Sequence, residues 1–135
     1  MDNAGADRAS NMGTRPRIAL IEDEASVRRA LARVLSVAQF DVQCYESAQE
    51  FLESISASRP DCVVLDIQMP GITGRDVQRH LLEAQIRLPV IIVTAHDEPQ
   101  TRAQCIAAGA TAYLCKPLRS ESLIASINSA LGRTG

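Results

Sequence analysis

The 135-residue chain is 46% apolar and 22% charged, with aromatics at only 3% and no Trp, which is the profile of one folded domain with an aliphatic core. Sixteen acids against fourteen bases give a net charge of −2, so a general nucleic-acid-binding surface is not expected, and the composition excludes a disordered, collagen-like or disulfide-dense chain. A domain of this size buries about two-thirds of the surface that its unfolded chain exposes, and its core needs no covalent staples.

In chain order, residues 1–16 are small and polar without periodicity and read as a disordered leader. The domain is expected over 17–132, with 133–135 as a tail or the start of a linker. The apolar run 18–21 ends in Glu22-Asp23-Glu24, after which Val27, Ala30, Leu31, Val34 and Leu35 mark one face of a helix. Residues 40–44 alternate like a short strand, and Ser47-x-x-Glu50 has the spacing of a capping box ahead of Ala48, Phe51, Leu52 and Ile55. Cys62-Val63-Val64-Leu65 is a continuous apolar strand ending at Asp66. A loop through Pro70, Gly71 and Gly74 then leads to a helix over about 75–84 with Val77, Leu81 and Leu82 as its apolar positions. Val90-Ile91-Ile92-Val93 is the next strand, and Pro99 opens a helix that stops at Gly109. Residues 110–114 are the last predicted strand. Leu123, Ile124, Ile127 and Leu131 define a final helix before Gly132.

Five strand–helix units with strands apolar throughout require helices on both sides of a parallel sheet. The expected fold is α/β, a doubly wound five-stranded parallel sheet of order 2-1-3-4-5, the flavodoxin-like arrangement. Cys44, Cys62, Cys105 and Cys115 show no C-x-x-C pairing and no His at zinc-ligand spacing, so they read as small buried hydrophobes in a reducing compartment. No run reaches the ~18 apolar residues of a membrane span and no signal-peptide core is present, which makes the cytoplasm the expected location.

In such sheets ligands bind beyond the carboxyl ends of the strands, at the reversal of strand order. Strand one ends in Glu22 and Asp23, strand three in Asp66, strand four in Thr94, and strand five just before Lys116, the only lysine of the chain. Three converging carboxylates repel one another unless a cation sits among them, and hard oxygen ligands select Mg²⁺ or a similar ion such as Mn²⁺. A Thr hydroxyl and a Lys ammonium beside them complete the set that phosphoryl transfer requires.

With these residues in place, the chain resembles the receiver domain of bacterial two-component response regulators over nearly all of 17–132. The matching pieces are Ile21-Glu22-Asp23-Glu24, Leu65-Asp66-Ile67-Gln68-Met69-Pro70-Gly71, Val93-Thr94-Ala95 and Tyr113-Leu114-Cys115-Lys116-Pro117. The stretch from Tyr45 to Leu52 and the loop Thr94-Ala95-His96 look most like the FixJ branch, whose members usually carry a C-terminal helix-turn-helix.

The resemblance implies a phosphoacceptor at Asp66, taking its phosphoryl group from a sensor histidine kinase or a phosphotransfer protein. It implies Mg²⁺ held by Glu22, Asp23, Asp66 and the main-chain carbonyl of Gln68. Lys116 and Thr94 would contact the phosphoryl oxygens, and Tyr113 would be a rotamer switch that turns from outward to inward. Gln68, Ala95 and His96 would flank the phosphoryl group and tune its hydrolysis, although His96 reads equally as a solvated loop residue. Output would pass through the face formed by the fourth helix, fifth strand and fifth helix, around 99–131, a surface the family uses for dimerisation or effector contact.

The expected function is thus a signalling module, not an enzyme in the usual sense, that controls transcription through a DNA-binding domain outside these residues. A stand-alone receiver in a phosphorelay is the alternative. Two further readings fit less well. A flavin carrier of this topology needs a phosphate-binding Ser/Thr/Gly loop where Glu22-Asp23-Glu24 stands. An aspartyl-phosphate hydrolase needs a second Asp where Gln68 stands. Glu22 departs from the Asp of many members, and Cys115 reads as a buried inert thiol. Arg28, Arg29 and Arg33 read as a solvated helix face, with kinase contact as the other reading.

Overall fold

The computed structural model describes residues 15–68, 71 and 73–133. Residues 1–14 of the expected leader, Thr134 and Gly135 of the expected tail, and Met69 and Pro70 of the second motif lie outside the described residues. Among the described residues, five strands alternate with five helices. The strands are β1 (Arg17–Ile21), β2 (Asp41–Tyr45), β3 (Cys62–Asp66), β4 (Val90–Thr94) and β5 (Ala112–Cys115). The helices are α1 (Ala25–Val37), α2 (Ala48–Ser54), α3 (Gly74–Glu83), α4 (Pro99–Ala107) and α5 (Ser120–Ala130). All strand pairs are parallel and the sheet order is β2-β1-β3-β4-β5, as expected from the alternation.

The order dictates the layers. The chain steps from β1 to β2 in one direction and from β2 through β5 in the other, and right-handed crossovers then place α1 opposite α2, α3 and α4. The packing agrees. One core joins Phe51 of α2 and Ile55 at its C-terminal cap, Val77 and Leu81 of α3 and Cys105 of α4 to Ala19, Ile21, Val63, Leu65 and Ile92. The other joins Leu35 of α1 and Leu123 and Ile127 of α5 to Ile18, Leu20, Val64, Ile91 and Val93. Successive strand residues feed opposite cores, which is why β3 and β4 are buried at every position while the edge strand β2 has no buried residue.

Several local expectations need correction. Strand β5 begins at Ala112, two residues later than expected: Ala110 is still tied to the end of α4, its N–H donating to the Cys105 carbonyl, and Thr111 joins the sheet only through its N–H bond to the Val90 carbonyl of β4. In α3, Leu82 is 60% exposed, and the inward position is taken by buried Gln78, whose Nε2 donates to the Cys105 carbonyl of α4 at 3.0 Å. Ser47 does cap α2, accepting from the Glu50 N–H at 3.1 Å, but the Glu50 carboxylate accepts from Glu46 N–H, not from Ser47 N–H. The complete reciprocal box is at α3, between Thr73 and Asp76. Cys62 and Cys105 are buried as expected, and burial pushes the Cys62 thiol up to about 12. Cys44, however, is exposed on the edge strand and Cys115 is half-buried, so neither is a core residue.

Gly74 opens α3 directly against the end of β3. A Cβ there would lie 2.8 Å from the Ile67 Cα, a backbone atom that cannot rotate away. Gly74→Ala is therefore expected to destabilise the domain by about 1–3 kcal/mol through overpacking, against the usual gain from Ala in a helix. Urea unfolding checks this; a rise in stability would show that the β3–α3 junction gives freely.

Candidate functional site

The reversal point of the sheet lies between β1 and β3, and their carboxyl ends bring Glu22, Asp23 and Asp66 together. Carboxylate oxygens of the three lie within 4.8 Å of one another, with Glu22 and Asp66 buried and Asp23 exposed. Each buried acid is held at both oxygens. Asp66 Oδ1 accepts from Gln68 N–H at 2.9 Å, and Oδ2 from Lys116 Nζ at 3.1 Å. Glu22 Oε1 accepts from the same Nζ at 3.1 Å, and Oε2 from Glu24 N–H at 3.2 Å.

Lys116 thus stands between two carboxylates from strands β1 and β3, projected from the end of β5. Its main chain is positioned by a 2.7 Å bond from its N–H to the Thr94 carbonyl. Burial raises the pKa of Glu22 above the ordinary glutamate value, against the lowering effects of Glu24 N–H and Lys116, and the nearby Asp66 charge adds to the rise. Burial by itself would lower the Lys116 pKa, but its bonds to Glu22 and Asp66 outweigh this and the net shift is upward. One ammonium among three acids leaves the cluster short of positive charge. Three oxygen donors, one facing solvent, match a small hard cation that keeps some of its water.

Thr94 is buried at the end of β4 and its hydroxyl closes a local turn, donating to the His96 carbonyl and accepting from the His96 N–H, both at 3.1 Å. Ala95 and His96 are exposed, and the Ala95 N–H donates to the Gln68 side-chain carbonyl at 3.2 Å, linking the loops after β3 and β4 across the mouth of the site. Tyr113 departs from the expected outward start. Its ring is 6% exposed, packed with Cys105 and Ala110, and the Arg102 guanidinium lies 4.7 Å from its centroid. The Tyr113 hydroxyl ends near the Glu98 backbone without a hydrogen bond of normal geometry.

One functional candidate escaped the sequence reading. Arg28, expected on the solvated face of α1, folds back and donates from Nη1 to the Glu22 carbonyl at 2.8 Å. Arg29 and Arg33 are exposed, in keeping with a solvated face.

The excess of negative charge has a measurable consequence. Asp23 is the exposed member of the cluster, so Asp23→Asn is expected to stabilise the metal-free domain by about 1 kcal/mol through relief of repulsion, a rise of a few degrees in Tm, while weakening Mg²⁺ binding. The gain from Asp66→Asn is smaller, because that substitution also removes an ion pair with Lys116. A fall in the Tm of Asp23→Asn without metal would show that this carboxylate is a structural acceptor instead.

Comparison with known proteins agrees with the fold. The family model described as the response regulator receiver domain matches residues 18–128. The transcriptional regulatory protein TdiR of Thauera aromatica is 36% identical over 124 residues, covering 92% of this chain and 55% of that protein. The response regulator MprA of Mycolicibacterium vanbaalenii is 38% identical over 118 residues, 87% of this chain and 51% of that protein. Among solved structures, a response regulator receiver protein from Burkholderia phymatum is 43% identical with a TM-score of 0.79, covering 90% of this chain and 98% of its own. The structure of FixJ-N superposes with a TM-score of 0.82 at 28% identity, with the same coverage of 90% and 98%. The chain spans about half the length of the curated relatives it matches.

Proposed function

The chain belongs to the family of response regulator receiver domains, and from that premise we propose that it accepts a phosphoryl group on Asp66 from the phosphohistidine of a partner kinase or phosphotransfer protein. Receiver domains are signalling domains, in general not enzymes; they bind Mg²⁺ at an acidic pocket and interact with histidine kinases. The observation that carries the assignment to Asp66 is its setting. Of the two buried carboxylates that Lys116 Nζ bridges at 3.1 Å, it is the one on the strand beside β4, next to the Thr94–Ala95 loop that Gln68 ties in by accepting from Ala95 N–H at 3.2 Å, with the Glu22 and Asp23 oxygens alongside.

In the transfer, an Asp66 oxygen forms the new bond to phosphorus as the bond to the histidine nitrogen breaks, leaving an acyl phosphate. Glu22, Asp23, Asp66 and the Gln68 carbonyl are the proposed holders of Mg²⁺, which when bound neutralises charge and polarises the phosphoryl oxygens. Lys116 is already charged and beside the acceptor. Thr94 needs only to exchange its turn bonds with His96 for a phosphoryl oxygen. Gln68, Ala95 and His96 line the mouth through which water reaches the acyl phosphate, a position suited to tuning its hydrolysis.

The two-fold length of the relatives, one of them named a transcriptional regulatory protein, favours a receiver that controls transcription through an appended DNA-binding domain over a stand-alone relay protein. The face of α4, β5 and α5 is the proposed output surface, with dimerisation as one form of output.

Incubation with radiolabelled acetyl phosphate tests the reaction without a cognate kinase. Near-stoichiometric, acid-stable and base-labile label is expected with Mg²⁺, and none when the cation is chelated. Equal labelling with and without the chelator would remove the acidic cluster from the reaction.

A further inference from the structure

Arg28 sits one turn into α1, where its N–H donates to the Glu24 carbonyl. Side chains of a helix lean toward its N-terminus, and this one leans far enough to reach the loop that precedes the helix. Nη1 lies 2.8 Å from the Glu22 carbonyl and 3.5 Å from the Asp23 carbonyl. Nη2 faces Glu46 Oε2 at 3.9 Å, in the loop after β2, and the arginine side chain is only 15% exposed. The same loop is fastened on its other side by the bond from Glu22 N–H to the Tyr45 carbonyl.

We propose that Arg28 is a positioning residue for the acidic site: its guanidinium holds the main chain from which the Glu22 and Asp23 carboxylates spring, and touches neither the cation nor the phosphoryl group. The proposal rests on the reading of Glu22, Asp23 and Asp66 as a divalent-cation site. Repulsion among these acids drives the short loop between β1 and α1 outward, and hydrogen bonds to two successive carbonyls oppose that movement. Pinning the peptide planes leaves the carboxylates pre-arranged before the cation arrives, as partners of ligands do in other metal sites. The ion pair with Glu46 contributes little, since Glu46 is 74% exposed and the separation is long. The two readings that the sequence allows for this arginine, solvated face or kinase contact, both leave cation affinity untouched.

The test is calorimetric titration of Mg²⁺ into the wild type, Arg28→Ala, Arg28→Lys and Glu46→Gln, with folding checked by circular dichroism. Acetyl phosphate labelling is followed at limiting and at saturating Mg²⁺. Arg28→Ala is expected to bind Mg²⁺ about tenfold more weakly. It should label slowly at limiting Mg²⁺ and within twofold of the wild-type rate at saturation, the split that a loss of fold would not produce. Arg28→Lys keeps the charge and one donor, and should recover part but not all of the affinity. Glu46→Gln should match the wild type. Wild-type affinity in Arg28→Ala overturns the proposal. So does wild-type affinity in Arg28→Lys, which remains informative if the alanine variant does not fold. A labelling defect that persists at saturating Mg²⁺ also overturns it, by placing Arg28 in the transfer itself. If the wild type takes up no Mg²⁺, the cation site falls and this role with it; if the wild type binds and Arg28→Ala binds equally, only the positioning role falls.

Discussion

Asp66→Asn is expected to take no label from acetyl phosphate with Mg²⁺ while keeping the circular dichroism of the wild type. The reaction requires an anionic oxygen to attack phosphorus, and an amide offers none. The fold has no comparable need for that charge: Asp66 lies at the end of β3, its ladder partner Val93 is bonded through the main chain, and Leu65 and Val64 carry the strand into the two cores. The amide carbonyl can still accept from Gln68 N–H or Lys116. What remains around Lys116 is one buried carboxylate, Glu22, so the ammonium keeps a partner at 3.1 Å and is not stranded. The expected change is therefore total in labelling and small in stability. Stoichiometric label on the variant, mapped to Asp23 or Glu22, would move the acceptor within the cluster. Label mapped elsewhere would remove the cluster from the reaction altogether.

The parts of this site that could be read from the chain are those that the strand ends carry. Glu22, Asp23, Asp66, Thr94 and Lys116 each follow an apolar run, and a parallel sheet of order 2-1-3-4-5 has one geometry that brings such ends together. The period of the apolar residues was enough to draw that sheet. It was not enough to decide which of two adjacent leucines faces inward: Leu81 is buried and Leu82 is not, because Gln78 fills the neighbouring inward position with a bond to a carbonyl 27 residues away. Arg28 was illegible for the same kind of reason. Its partner is a main-chain carbonyl, which every residue possesses, so no pairing of side-chain types betrays the contact. The buried ring of Tyr113 was missed because the choice between two rotamers depends on the room beneath α4, which no local pattern encodes.

That ring changes what phosphorylation has to move. Tyr113 already lies inward with Arg102 over its face, so a simple outward-to-inward turn is not the available response. The element that the proposed phosphorylation would move is the loop after β4. In the structure the Thr94 hydroxyl is spent on His96, at 3.1 Å to both its N–H and its carbonyl, and Gln68 occupies the Ala95 N–H. A phosphoryl group at Asp66 adds roughly −1.5 to −2 charges and three acceptor oxygens within reach of the same loop. Thr94 and Ala95 can then exchange their present partners for those oxygens, drawing the loop toward β3 and with it the start of α4 at Pro99.

On the proposed mechanism Lys116 serves both states, bridging Glu22 and Asp66 at 3.1 Å in one and contacting the phosphoryl oxygens in the other, from a side chain only 23% exposed. A compact ammonium fits between the two carboxylates; the broader planar guanidinium does not without spreading β1 from β3. Beryllofluoride with Mg²⁺, standing in for the phosphoryl group, is therefore expected to alter hydrogen-exchange protection across 99–131 of the wild type by about fivefold or more, the range of ordinary coupling energies. Lys116→Arg should keep the charge and accept label from acetyl phosphate, yet show less than a twofold change in protection over the same residues. Unchanged protection in the wild type would mean that the loop after β4 does not transmit the event. A full response in Lys116→Arg would mean that positive charge alone, without the small ammonium bridging β1 and β3, is sufficient to couple Asp66 to the α4–β5–α5 face.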